Sequence, residues 1–273
     1  PLFDDPDVGG VQLAVRIRNR ETNFLLKFQA HQFWTLSALS QMGRLGVGTV
    51  SLGGNGQFAR LSALEGLGIA PWSNSLTEDL DLAVSLAIDG WRLASTPDAA
   101  VDQQGVEELG RLFTQRTRWY QGHMMTAKRL PAIWRAPSLS HGAALEMTLY
   151  ILVPWLFDLP WSILCHVILF EILWQATQSH QVVGSGLPWP AALGVWYLLA
   201  FWPAAFTAWL ARRRDPALRR RDAFLFGHSF VVTNYLFFAC AWRALGRIVR
   251  GRNGWAKTER IVEAPHAEVL VDA

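Results

Sequence analysis

An α/β layer followed by α-helical transmembrane segments is the architecture this sequence predicts, on three observations. Residues 1–140 alternate short strand-like runs with amphipathic helical patterns, residues beyond 140 are dominated by apolar stretches of bilayer length, and basic clusters separate those stretches. Of the 273 residues, 51% are hydrophobic, 17% are charged and 14 are tryptophan, a load foreign to an ordinary soluble domain. The net charge is +3; residues 1–140 carry 13 basic and 13 acidic side chains, residues 141–273 carry 12 and 9. The excess base therefore lies among the apolar segments, which argues against nucleic acid as a partner and points to anionic lipid headgroups.

The elements follow in order. The opening "PLFDDPDVGG" is acidic and turn-rich, unlike a secretory leader, and reads as chain that begins inside a domain. Val11 to Ile17 alternate apolar and polar residues, as in a half-buried strand. Leu25, Phe28, Gln32, Phe33 and Leu36 recur at helical spacing within residues 23–42. Residues 47–68 form a β-branched run broken by "GGNG" at 53–56, then a helix from about Arg60. Those glycines suit either a tight strand-to-helix turn or a loop that lets a ligand approach the backbone. The stretch "NSLTEDLDLAVSLAIDGW" at 74–91 predicts a helix. Ser75 or Thr77 caps it, Ser75 and Glu78 stand at capping-box spacing, Leu80, Val84 and Ile88 form its buried face, and Gly90 stops it.

Past residue 140 three apolar stretches, 143–174, 189–210 and 223–242, are long enough to span a bilayer, with Pro154, Asp158 and Pro160 expected to kink the first. The intervening "RRRDPALRRRD" at 212–222 belongs on the cytoplasmic side, as do Lys128, Arg129 and Arg135 before the first stretch. The basic flank at 243–261 conflicts with a simple third crossing. Either the third stretch is re-entrant or interfacial, or the first is a hairpin. Domain limits at 1–140, 141–262 and a flexible tail at 263–273 follow.

Two constellations can carry chemistry. Glu78 and Asp79 lie in the first turn of a helix, where the dipole alone favours acids by ~0.3 to 1 kcal/mol. A carboxylate there can also take a proton from an attacking hydroxyl. In "LGRLFTQRTRWYQGHM" at 109–124, Gln115, Arg118 and Trp119 project on one helical face while Arg116 points elsewhere. An amide, a guanidinium and an indole together suit a diphosphate and a sugar; a membrane-surface helix with basic residues toward headgroups is the plainer reading. Cys165 and Cys240 are apolar-segment residues without ligand spacing. His31, His123, His141 and His228 are scattered and suit packing. Asp158 and Glu171 within a membrane-length stretch suggest a polar interior, or for Asp158 a solvated break.

"TEDLDL", then an α/β stretch, then "QRTRW", then apolar spans, resembles the processive family 2 glycosyltransferases: bacterial cellulose synthase, hyaluronan synthase and poly-N-acetylglucosamine synthase. The resemblance covers nearly the whole chain. It implies the C-terminal half of a GT-A-type nucleotide-sugar transferase domain attached to membrane helices, with the catalytic part cytoplasmic at the inner or plasma membrane. It implies Asp79 as general base with Thr77 and Glu78 shaping its surroundings, Gln115, Arg118 and Trp119 as binders of nucleotide diphosphate and acceptor sugar, and Gly54 and Asn55 in an acceptor loop. "GWAKTER" at 254–260 looks like a tail motif of bacterial members. The implied partners are a nucleotide-sugar donor, a glycan or lipid-linked acceptor and membrane lipids. The implied cofactor is a divalent cation, Mg or Mn, on a D-x-D motif that nothing here matches; Asp5 and Asp7 have its spacing without a preceding strand. The expectation is therefore an inverting transferase whose nucleotide-binding half is absent from this stretch, so that the stretch alone is inactive. A noncatalytic glycan-binding membrane protein and a single-addition polyprenyl-phosphate transferase are the alternatives.

Overall fold

The computed structural model describes residues 2–178 and 186–254. The "WAKTER" part of the tail motif and the expected C-terminal tail lie outside the described residues. Strand β1 (Val8–Ile17) is the middle of a three-stranded sheet of order β2-β1-β3; it pairs antiparallel with β2 (Gln57–Ala59) and parallel with β3 (Arg92–Gln103). The half-buried expectation for β1 is corrected: nearly every position from Val8 to Ile17 is buried, Gln12 included. Alternation fails because both faces are covered. Leu86 of α4 (Glu78–Ile88) and Leu52 reach Gly10 from one side, while Leu26 and Ala30 of α1 (Phe24–His31) pack on Ile17.

The expected 23–42 helix exists as α1, a π-helical stretch (Gln32–Ser37) and α2 (Ala38–Arg44), with Asn23 accepting from the Leu26 amide as its cap. The glycine break runs into β2 and then α3 (Leu61–Gly66). Helix α4 begins at Glu78 and is followed by Gly90 at φ +100°, as expected. Its capping box does not form: Thr77 is the N-cap without a side-chain cap bond, and the Ser75 hydroxyl accepts from the Thr77 amide instead. The predicted face is also too narrow. Leu82, Ala83, Leu86 and Ala87 are buried beside Leu80 and Val84 because α4 packs between the sheet and the following helices.

Helix α5 (Leu109–Met125) leads through a 3-10 turn to α6 (Leu130–Arg135). The first apolar stretch is α7 (His141–Val153), a π-helical turn (Pro154–Asp158) and α8 (Leu159–Gln178); Pro154 starts the π turn, and the helix bulges there instead of breaking. Its first half is docked on the α/β layer. Ala144, Met147 and Ile151 pack with Val84, Ala87 and Ile133, and Glu146 pairs with Arg44 at 2.7 Å while accepting from the Thr49 hydroxyl. Arg44 is buried and lies 3.8 Å above the Tyr150 ring, so removing its partner strands a desolvated cation. Replacing Glu146 by alanine is expected to lower stability by about 3 kcal/mol. A thermal midpoint unchanged in detergent would show that α7 docks by apolar contact alone.

Helices α9 (Trp189–Arg214) and α10 (Arg220–Val249) complete the described chain. His141–Gln178, Trp189–Arg214 and Arg220–Val249 are each long and apolar enough to cross a membrane. Yet α10 lies along the α/β layer over most of its length. Phe226 stacks on His31 (5.8 Å), Phe230 and Phe237 meet Phe28 (5.9 Å each), Ala241 and Ala244 pack on Met124, and Arg247 donates to Gln121 at 2.6 Å. Arg214, in the basic stretch before α10, also reaches this layer, its Nε donating to the Trp34 carbonyl at 2.9 Å. Helix α10 crosses α9 at Gly227, where a Cβ would collide with the Ala204 carbonyl. Within the apolar helices, Asp158 accepts from the Tyr120 hydroxyl and Glu171 accepts from Gln175 at 2.8 Å. Cys165 and Cys240 are free and buried. His123 packs on Tyr150 and His228 on Phe224, as their scattered placement suggested.

Candidate active site

A cavity of about 1100 Å³ lies between the sheet, α2, α4 and α5. The two constellations singled out in the sequence, 36 residues apart at their nearest, both line it: Thr77, Glu78 and Asp79 from the start of α4, and Gln115, Arg118 and Trp119 from one stripe of α5. The link between them is direct. Arg118 Nη1 donates to the Leu76 carbonyl at 2.8 Å, which ties the α5 guanidinium to the turn that presents Asp79. Gly122, one turn further along α5, permits that approach: a Cβ there would come within 2.6 Å of the Thr77 side chain and 2.8 Å of its backbone nitrogen.

Burial pushes the Asp79 carboxyl up to about 6, an effect reinforced by Glu78 and opposed by the amide of Leu80, which donates to Oδ1 at 2.8 Å, and by Arg118. A carboxylate of that kind is largely ionised at neutral pH yet basic enough to receive a proton. Burial lowers the Arg118 guanidinium, while Glu78 and Asp79 oppose that shift. Burial lowers the His123 pKa, opposed by the bond its Nε2 donates to the Tyr150 carbonyl at 2.9 Å, and both residues also line the cavity.

The "GGNG" loop is held against the site. Gly54, at φ +79°, leaves room for Asp79 Oδ2, which a Cβ would approach to 3.1 Å, and Asn55 donates to the Gln103 side chain. Sequence reasoning missed the residue that fixes this loop: Gln12 accepts from the Gly53 amide and donates to the Asn55 carbonyl, each at 2.7 Å. A lone glutamine inside the apolar run of β1 was its signal, since a buried amide must find partners. Gly122 carried no comparable signal.

Arg116, adjacent to the stripe, is not turned to headgroups as a membrane-surface helix would have it. It is buried, and burial lowers its guanidinium to about 10. Asp5, the first residue with D-x-D spacing, pairs with Arg92 at 2.8 Å. Among the described residues no group of three or more His, Cys, Asp or Glu side chains converges. No step below runs through a divalent cation.

Beta-monoglucosyldiacylglycerol synthases from Trichormus variabilis and Nostoc sp. are each 37% identical to this chain over 124 residues, 45% of this chain and 26% of theirs. The Synechocystis sp. protein of the same name is 33% identical over 124 residues, again 45% of this chain and 25% of its own. The match thus spans about a quarter of these relatives' length. The sequence model of the family described as "Glycosyl transferase family group 2" matches residues 1–211, well over half of the chain, and the chain belongs to that family.

Proposed function

We propose that the full-length protein transfers a sugar from a nucleoside diphosphate to a hydroxyl of a membrane lipid, with inversion at the anomeric carbon. The observation that carries the reading is the convergence of Asp79 with Gln115, Arg118 and Trp119 on one cavity beside apolar helices. Asp79 takes the proton of the acceptor hydroxyl as its oxygen forms the bond to the anomeric carbon; the bond from that carbon to the diphosphate breaks, and the electron pair leaves with the diphosphate. A single in-line displacement inverts the centre. Arg118 and Gln115 offer donors to the leaving phosphate oxygens, and Trp119 offers its face to the acceptor sugar or glycerol.

A glycerolipid acceptor is supported by the relatives' names, which specify glucosyl and diacylglycerol groups. Repeated addition, as in the processive transferases, is supported by the Q-x-x-R-W spacing. Product length separates them: one sugar per lipid, or a ladder. The test is release of nucleoside diphosphate by the full-length protein in lipid, with UDP-glucose, dioleoylglycerol and added magnesium or manganese. Lipid-dependent release with one sugar per lipid supports the reading. Binding of glycan with no turnover of any common nucleotide sugar defeats it in favour of a noncatalytic binding protein.

The catalytic layer is cytoplasmic in this reading, and α10 lies along the membrane interface, because that arrangement keeps both its arginine-rich ends on one side. A fluorescent protein fused after residue 273 is then expected to fluoresce inside the cell. A fusion active only on the outer side would make α10 a crossing helix.

A further inference from the structure

Arg116 presents a puzzle that the transfer chemistry leaves unused. Its side chain is 5% exposed, and no carboxylate among the described residues pairs with it; Nε and Nη2 are buried without a hydrogen-bond partner. Desolvating a cation costs several kcal/mol, about the amount that makes unpaired buried charges rare. A methionine would fill similar space without that cost, so packing alone does not account for the residue. What surrounds the guanidinium is aromatic: its carbon lies 4.3 Å from the Trp119 ring centroid, 5.4 Å from that of Phe33 and 5.6 Å from that of Phe237.

Of the three rings, Trp119 is nearest and is the one shared with the chemistry. It is half-buried and lines the cavity, and Phe33, from the π-helical stretch, meets it edge-on at 6.3 Å and 80°. A cation on a ring face prefers the centre of the π cloud, so it resists the tilting that an apolar neighbour would tolerate. Phe237 brings α10 into the same cluster, so the box is closed by three separate elements.

We propose that Arg116 is a positioning residue: it holds the Trp119 indole in the orientation that receives the acceptor, acting through the ring and not on the substrate. This rests on the transferase reading above. The experiment measures donor and acceptor kinetics of the full-length protein with UDP-glucose and dioleoylglycerol in mixed micelles, for Arg116→Met, Arg116→Lys, Trp119→Ala and the double variants. The expected result is an acceptor KM raised about tenfold by Arg116→Met, the scale of one desolvated cation-π contact, with donor KM changed less than about twofold. Arg116→Lys is expected to recover most of the loss. In the Trp119→Ala background neither Arg116 variant should add a further effect, because residues that act as a unit are not additive.

Donor and acceptor KM rising together, or effects that multiply in the double variants, would overturn the assignment. Should Arg116→Met fail to fold, Arg116→Lys with and without Trp119→Ala carries the same comparison, with a smaller shift confined to the Trp119 background expected. A wild type that turns over no nucleotide sugar defeats the transferase reading itself. A working wild type with a symmetric Arg116 defect defeats only this inference.

Discussion

Asp79→Asn is expected to lower sugar transfer by ~10³-fold or more and, in the same protein, to raise the thermal midpoint at pH 7. The two effects have one cause. Burial holds the Asp79 carboxyl at about 6, above its value in an unfolded chain near 3.8. The folded state therefore binds more protons than the unfolded state between those values, and ionised Asp79 destabilises the fold increasingly as pH rises through about 4 to 6. Asparagine removes the charge and keeps an oxygen for the Leu80 amide. Its stabilising effect should be present at pH 7 and vanish below about pH 4. Activity should move the opposite way: with wild-type protein, kcat/KM falls as pH drops through about 6, because the base becomes protonated. An Asp79→Asn variant with ordinary turnover would remove Asp79 from the mechanism, and one inactive but less stable than wild type at pH 7 would mean that the carboxylate also holds the fold together.

Gly122→Ala is expected to lower activity on the order of 10²-fold although Gly122 itself offers no chemistry. The added Cβ would sit 2.6 Å from Thr77 Oγ1 and Cγ2 and 2.8 Å from the Thr77 nitrogen, far inside van der Waals contact. Because the backbone nitrogen is one of the obstacles, a rotamer change cannot relieve the clash; the start of α4 must move away from α5. That movement would stretch the Arg118 to Leu76 hydrogen bond and shift Asp79 relative to Trp119. Displacements of about 1 Å in a reacting constellation cost on the order of 10²-fold in rate, and overpacking of this kind costs ~1 to 3 kcal/mol of stability. Measuring kcat/KM beside the thermal midpoint tests the account. Unchanged kinetics would mean that α4 and α5 need not be held in contact for turnover. The same substitution at Gly110, whose Cβ would meet nothing within 4 Å, serves as the control on α5.

Much of this molecule is legible along the chain, for a definite reason. Spacing within one helix or one strand is a local property, so the α5 stripe of Gln115, Arg118 and Trp119, the Gly90 stop and the three membrane-length stretches follow from 3.6-residue periodicity, backbone conformation and length. The capping box at Ser75 and Glu78 was legible only as a possibility, since capping depends on where the preceding turn directs the chain. Here that turn hands the N-cap to Thr77.

What local pattern leaves open is which faces meet. Alternation in β1 implied one wet face, but coverage from both sides depends on elements far along the chain. The third apolar stretch is long enough to cross while its basic far flank conflicts with a crossing, and it is the contacts of Phe226, Phe237 and Arg247 with α1 and α5 that lay it along the α/β layer. Arg116 and Arg118 sit two residues apart with the same side chain. Helical geometry separates their directions, while the fold alone surrounds one with three aromatic rings and gives the other the Leu76 carbonyl at the mouth of the cavity. Residue types and spacings thus establish which groups are available and on which face. Their burial, their partners and the poise of Asp79 come from long-range packing, because desolvation depends on everything that surrounds a group in space.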